Sequence, residues 1–189
     1  MAFRDESARP ILRAVFILYA IPIGLAIGRL AGGHLDGLAN VRFRLAPLAA
    51  LALAVQLVLF SPVAEGLAPE LGRWIYVAST ALVVVVVLAN IRLTGVPLVV
   101  AGAALNLAAI VTNGGAMPAS PSALAALGAG IRAHTNSILV EHPALEPLTD
   151  VFATPTWLPF ANVFSVGDVL IGLGVVVAIA AAMRSTPAR

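Results

Sequence analysis

Residues 166–183 read VGDVLIGLGVVVAIAAAM, an apolar run with a single charged residue, Asp168, near its start. A helix that crosses a hydrocarbon layer of about 30 Å needs about 20 mainly apolar residues. None of the apolar runs of this chain alternates apolar with polar residues, so membrane-spanning strands are disfavoured. We therefore predict an all-α fold, a single membrane domain over 1–189 whose five transmembrane helices lie at about 11–32, 45–64, 74–91, 96–112 and 166–183.

The composition points the same way. The 189 residues are 60% hydrophobic and 11% charged, with a mean hydropathy of +1.01. Soluble globular domains have about 45–50% apolar and about 25% charged residues. The composition therefore excludes an ordinary soluble enzyme, a disordered chain and a nucleic-acid-binding domain, and it makes the lipid bilayer the expected partner. The chain has no cysteine, which excludes thiolate nucleophiles and thiol-rich zinc sites.

Charge predicts an orientation of the chain in the membrane. With five spans, the eleven arginines divide between the two sides as Arg4, Arg9, Arg13, Arg73 and Arg132 against Arg29, Arg42, Arg44, Arg92, Arg184 and Arg189. Without Arg132, which is remote from any span, the ratio is four to six. The positive-inside rule then predicts an N-terminus outside and a C-terminus in the cytoplasm. We expect the first run to be retained, because it exceeds the about 7–15 apolar residues of a signal peptide.

The long loop 113–165 separates the fourth and fifth predicted helices. Ser120 followed by proline is typical of a capped helix start, and the apolar stripe after it predicts a short helix at the membrane interface. That stripe comprises Leu124, Leu127 and Ile131. Trp157 and Phe160 are candidate anchors at headgroup level.

Asp168 is the strongest candidate for chemistry, since an ionisable group in or near a bilayer is costly. The spacing Ser165-x-x-Asp168 also predicts a capping box, in which the serine caps the helix start and the carboxylate accepts from the serine amide. The capping interpretation is favoured over the catalytic one, and both remain open.

Asn113, Gly114 and Gly115 follow the fourth predicted helix and are a candidate binding segment. Asn and Gly tolerate the left-handed backbone that ends helices, so a helix cap explains them without a function. Because they flank the same loop as Asp168, we expect them on the same side of the membrane as Asp168.

The remaining polar residues match no metal or cofactor signature. The loop contains His134, Glu141, His142, Glu146 and Asp150, without the spacing of a zinc motif, and Asp36 with His34 is equally isolated. No nucleotide-binding or haem motif occurs, so we expect no metal and no cofactor. Hydrogen bonding between helices is the ordinary use of the polar residues within the spans, Tyr19, Gln56, Ser79, Thr80, Asn90 and Asn106. The small-residue series Gly24, Gly28 and Gly32 predicts close packing inside the bundle.

Three segments resemble an uncharacterised bacterial family of small multi-span membrane proteins. They are Leu38-Ala39-Asn40-Val41-Arg42-Phe43-Arg44, Asn113-Gly114-Gly115-Ala116-Met117-Pro118 and Asn162-Val163-Phe164-Ser165-Val166-Gly167-Asp168. The resemblance covers nearly the whole chain after its N-terminal part. It implies kinship and supplies no reaction.

A fainter likeness is to lipoprotein signal peptidase, an intramembrane aspartyl protease. Phe164-x-Val166-Gly167-Asp168 is similar to the start of that enzyme's last span, and Asn113-x-Gly115-Ala116 is similar to its asparagine–glycine motif. The likeness implies a catalytic role for Asp168. The Gly-Asn-x-x-Asp-Arg block that carries the enzyme's second aspartate is absent, and such a mechanism needs two carboxylates. Asp150 is the favoured substitute, and Asp36 would lie on the other face.

Three functions follow as hypotheses. The first is a non-catalytic accessory or scaffolding subunit of a membrane assembly, with other membrane-protein subunits as partners. The second is an aspartyl-type membrane hydrolase that uses Asp168 and Asp150, with Asn113 orienting a substrate carbonyl. The third is a lipid or small-solute carrier, which requires a polar cavity joining Gln56, Asn90 and Asn106.

Overall fold

A computed structural model describes residues 15–59, 61–64, 67–127, 137–139, 142–159 and 161–185. Several residues of the sequence-based predictions lie outside this part of the chain: Arg4, Arg9, Arg13, Ile131, Arg132, His134, Glu141, Phe160 and Arg189.

The described chain is mostly helical, as predicted. Its helices are α1 (Val15–Leu30), α2 (Ala46–Leu59), α3 (Pro69–Ala89), α4 (Val96–Thr112), α5 (Pro121–Ala126) and α6 (Val166–Met183), with short 3-10 turns at Leu35–Asn40, Pro62–Ala64 and Glu146–Leu148. Two helical segments, Glu70–Ala89 and Val166–Met183, are long and apolar enough to cross a membrane, and three shorter apolar helices accompany them. Every apolar run predicted from the sequence thus contains a helix.

Local sequence explains where these helices begin and end. α3 begins five residues before the predicted position, because Pro69 suits the first turn and Glu70 adds a favourable negative charge there. α2 ends at Leu59, before Pro62, which stands in a separate 3-10 turn. α5 is the predicted short helix, with the Ser120 hydroxyl accepting from the Ala123 amide at 3.0 Å.

The five long helices have two distinct ends. At the loop end, where the described residues of the loop lie, the Tyr19 hydroxyl near the start of α1 donates to the Pro159 carbonyl. At the opposite end, the His34 amide that follows α1 donates to the carbonyl of Met183 at 2.7 Å. α1, α3 and α6 therefore run away from the loop end, and α2 and α4 run towards it.

Glycines let α6 pack closely on both neighbours. Gly24 and Gly28 of α1 face α6, as the small-residue series predicts, whereas Gly32 lies in the turn after α1 and has no side-chain neighbour. α4 and α6 approach closely at Gly102 and Gly167, where an added Cβ on Gly167 would lie 2.7 Å from the Gly102 carbonyl. Such close packing of helices is possible because glycine has no side chain.

The loop contains strands that the sequence analysis does not predict. β1 (Met117–Ala119) pairs in parallel with β2 (Ser137–Leu139), and β3 (Phe152–Ala153) pairs antiparallel with β4 (Val163–Phe164). These strands of two or three residues are too short to show a sequence period. Together with α5 they enclose a small apolar cluster of Ala119, Ala123 and Val163 over the loop end of the helices.

Candidate functional site

A cavity of about 180 Å³ lies among the helices, beside β1 and β4 of the loop. Side chains from α2, α3, α4, α6 and the loop line it, and its apolar wall includes Ile110, Met117 and Val163. Its polar lining is Gln56, Tyr76, Thr80, Asn106, Asp150 and Asp168. In a chain this apolar, the convergence of six polar side chains makes the cavity the candidate functional site.

Asp168 is held at one wall of the cavity by three hydrogen bonds. Its Oδ2 accepts from the Ser165 amide and hydroxyl, each at 2.9 Å, and its Oδ1 accepts from Asn106 Nδ2 at 2.9 Å. The Asp168 amide donates in return to Ser165 Oγ at 3.1 Å, which completes the predicted capping box. A carboxylate has about four acceptor positions, and one position on Oδ1 receives no donor from the described residues.

Asn106 joins this cap to the neighbouring helix. Besides donating to Asp168, it offers Oδ1 to the Ser165 hydroxyl at 2.8 Å. Because that hydroxyl has one proton, it serves either Asn106 or Asp168 at a given moment. The three side chains form one network between α4 and the start of α6, and this network fixes the orientation of the carboxylate.

Asp150 lines the same cavity from the loop. It is 3% exposed, and its backbone is clamped against β1: its amide donates to the Pro118 carbonyl at 2.9 Å, and its carbonyl accepts from the Ser120 amide at 3.0 Å. The fold therefore brings the two carboxylates named by the sequence analysis to one cavity.

The lining from α2 and α3 is also ordered by hydrogen bonds. Gln56 Nε2 donates to Ser79 Oγ at 3.2 Å and to Thr80 Oγ1 at 3.4 Å. Tyr76, which the sequence analysis does not single out, lies one helical turn before Thr80 on α3. Its spacing of four residues from Thr80 could have identified Tyr76 from the sequence, since residues i and i+4 share one face of a helix.

A protein family matches most of this chain, including every cavity-lining residue. The match covers residues 40–180, and the family is described as a family of unknown function, DUF5317. The chain belongs to DUF5317. The predicted kinship with an uncharacterised family is thereby confirmed. No curated protein and no solved structure matches the chain, so the likeness to lipoprotein signal peptidase gains no support.

The Asn-Gly-Gly segment of this DUF5317 chain lies at the loop end but outside the cavity lining. The Asn113 side chain pairs with both backbone groups of Ala144, at 2.8 and 2.9 Å, and also donates to the Ala109 carbonyl at 2.7 Å. Gly114 and Gly115 have φ of +70° and +86°, the left-handed geometry expected after a helix end. The segment ties the loop to α4, and the hypothesis that Asn113 orients a substrate carbonyl stays a prediction.

Two further candidates lie at the opposite end of the bundle. Asp36 is in the 3-10 turn Leu35–Asn40, whose Gly37 packs on Met183, so Asp36 cannot partner Asp168. Asn90 follows α3 and bonds to the backbone of Arg44. Gln56 and Asn106 line the cavity and Asn90 does not, and the carrier hypothesis stays a prediction.

The loop carboxylates and imidazoles form no metal site in the part of the chain that is described. His142 and Glu146 are exposed, and no group of three or more His, Asp or Glu side chains there is arranged to hold an ion.

Proposed function

We propose that this DUF5317 chain is an integral protein of the bacterial plasma membrane, crossed by α1, α2, α3, α4 and α6. Large apolar side chains in the middle of these helices are exposed, including Leu51 at 53%, Val85 at 54% and Leu173 at 51%. Exposed apolar surface on this scale suits lipid rather than water. α4, at about 25 Å, and α2, at about 21 Å, are short, which local thinning of the bilayer accommodates.

The proposed orientation has the loop end outside. Of the described arginines, Arg73 is at the loop end, and the opposite end has Arg29, Arg42, Arg44, Arg92 and Arg184. An excess of arginine favours the cytoplasmic side. Arg4, Arg9 and Arg13 precede α1 and reduce this asymmetry in the whole chain.

The function that the geometry supports best is hydrolysis by an aspartyl pair. A single observation carries this proposal: Asp150 and Asp168 line one small cavity. In such a pair, one carboxylate takes a proton from water as the water oxygen bonds to the carbonyl carbon of an ester or amide. The second, protonated carboxyl gives its proton to the carbonyl oxygen. On collapse, a hydroxyl returns a proton to the second carboxylate, and the first protonates the leaving group as its bond breaks.

The residues around the pair have defined roles in this proposal. Asn106 and Ser165 hold the Asp168 carboxylate in one orientation, as a positioned base requires. The cavity of about 180 Å³ is smaller than the about 300–1,000 Å³ of pockets for whole ligands, so it admits only the scissile group. The rest of the substrate would lie along the helices or the loop.

The test for hydrolysis uses a mixture of natural membrane components as substrates, because the substrate is not identified. Purified protein is incubated with membrane extracts in ¹⁸O-labelled water, and mass spectrometry identifies acid products that have gained one labelled oxygen. Products that form with the wild type but not with Asp150→Asn or Asp168→Asn support hydrolysis. Asp36→Asn is the matched control, since Asp36 is exposed at the opposite end. Labelled products that are equal in all four proteins, or absent from all, contradict the proposal.

A second candidate is the accessory subunit. It is favoured by the capping box, because the fold itself uses three of the acceptor positions of Asp168. Copurification in mild detergent tests this function. A stoichiometric membrane-protein partner that binds the wild type and Asp150→Asn/Asp168→Asn equally, without labelled products, supports the subunit over the hydrolase.

A further inference from the structure

A buried asparagine fixes an arginine-rich segment at the end of the bundle opposite to the cavity. Asn90, 3% exposed, accepts from the Arg44 amide at 2.7 Å and donates to the Arg44 carbonyl at 2.8 Å. It also donates to the Val86 carbonyl within its own helix, at 2.8 Å. The hydrogen bonds of one buried side chain thus hold the backbone of Arg44 against the end of α3.

Three arginines lie within two residues of the Arg44–Asn90 contact along the chain, and we call Arg42, Arg44 and Arg92 the arginine patch. Arg42 is two residues before Arg44, and Arg92 is two residues after Asn90, so both segments lie beside one buried side chain. All three arginines are exposed, and none forms an ion pair within the described chain. Arg73, at the loop end, is by contrast paired with Glu70 at 3.2 Å.

Exposed guanidinium groups at one end of the bundle give that end a positive potential, which attracts an anion. A guanidinium presents several N–H donors in one plane, a geometry that matches phosphate oxygens. Next to the patch, Leu45 is 44% exposed, and the helix α2 that follows it exposes Leu48 at 37% and Leu51 at 53%. An anionic group that carries acyl chains fits both surfaces, since its chains would lie along α2.

We propose that the arginine patch binds the phosphate of an anionic phospholipid headgroup. This assignment gives a role to the segment Leu38–Arg44, which the cavity does not use. It rests on the proposed crossing of the membrane, because the apolar surface of α2 must face lipid. It does not rest on hydrolysis, since the cavity lies at the other end of the bundle.

The test is a titration of the full chain with phosphatidylglycerol in a nonionic detergent, followed by native mass spectrometry. The triple variant Arg42→Gln/Arg44→Gln/Arg92→Gln is compared with Arg73→Gln, which removes a single arginine at the loop end. Each basic residue near an anionic surface contributes about fivefold in affinity, so the triple variant should bind about 100-fold more weakly. Arg73→Gln should bind within about twofold of the wild type, and phosphatidylcholine should not distinguish the proteins.

The outcomes separate the possible failures. Equal binding of phosphatidylglycerol by the wild type and the triple variant overturns the lipid site. Complete displacement of the lipid by millimolar inorganic phosphate also overturns it, in favour of a free-phosphate site. If circular dichroism shows that the triple variant is unfolded, Arg92→Gln alone replaces it, with an expected loss of about fivefold. A wild-type chain that remains folded and dispersed without detergent refutes the membrane crossing itself.

Discussion

Replacing Gly167 with alanine should be among the most damaging single-methyl changes in this protein. A Cβ at Gly167 would lie 2.7 Å from Cγ of Asn106 and 2.7 Å from the Gly102 carbonyl, and closer still to Asn106 Oδ1. Real Cβ atoms do not come this close, so α4 and α6 must separate or the Asn106 side chain must turn away. In the second case its hydrogen bond to Asp168 is lost.

The magnitude follows from these two effects. Overpacking a tight contact costs about 1–3 kcal/mol. Loss of a hydrogen bond to a charged group costs about 1.5–3 kcal/mol. Alanine gains up to about 1 kcal/mol over glycine in helix propensity. When the Asn106 side chain turns away, both costs apply, and the free energy of unfolding should fall by about 1.5–5 kcal/mol.

Gly72→Ala is the matched control, because Gly72 is also helical but its added Cβ would have no neighbour closer than 3.7 Å. It should raise the free energy of unfolding by up to about 1 kcal/mol. Both variants are unfolded with SDS from nonionic micelles, and helix content is followed by circular dichroism. In an Asn106→Ala background, Gly167→Ala should lower the free energy of unfolding by less, because the clash with the Asn106 side chain is removed. Gly167→Ala as stable as Gly72→Ala would refute the close α4–α6 contact.

Three further changes test other contacts. Ser165→Ala removes the α6 cap and should cost about 0.5–2 kcal/mol in the same titration; no change there contradicts the capping box. Asn113→Ala frees the backbone of Ala144, so limited proteolysis should cut 142–149 sooner, and an unchanged cleavage rate contradicts the tether. Leu45→Gly relieves a left-handed φ of +60° and should stabilise by about 1 kcal/mol, whereas Leu48→Gly within α2 should destabilise by about as much; the reverse order contradicts the strain.

Local signals in the sequence predict the parts of the fold that depend on neighbours in the chain. The spacing of Ser165 and Asp168 predicts their capping box because both groups lie within one helical turn. The start of α5 at Ser120 is predictable for the same reason. The start of α3 is not found from apolar residues alone, because its first turn contains Glu70 and is identified by Pro69.

Local signals in the sequence do not predict contacts between segments that are distant along the chain. Gly102 and Gly167 meet across 65 positions, and nothing near either residue specifies the other. Periodicity predicts that Tyr76 and Thr80 share a face of α3, but it does not say that this face meets Gln56 and Asn106. The sequence singles out Asp150 only by elimination, because its place at the cavity depends on backbone pairing with β1.

The strongest argument for a function at the cavity comes from Asp150 rather than from Asp168. Helix capping accounts for Asp168, since a carboxylate at that position stabilises the start of α6. The backbone bonds of Asp150 need no particular side chain, because its amide and carbonyl would pair with β1 whatever the residue. Burial of a carboxylate costs free energy in removal from water, which partners of the side chain must offset, and Asp150 is 3% exposed. Titratable groups buried in a cleft are candidates for a functional site, and Asp150 lies on the same cavity as Asp168, a carboxylate held in a fixed orientation.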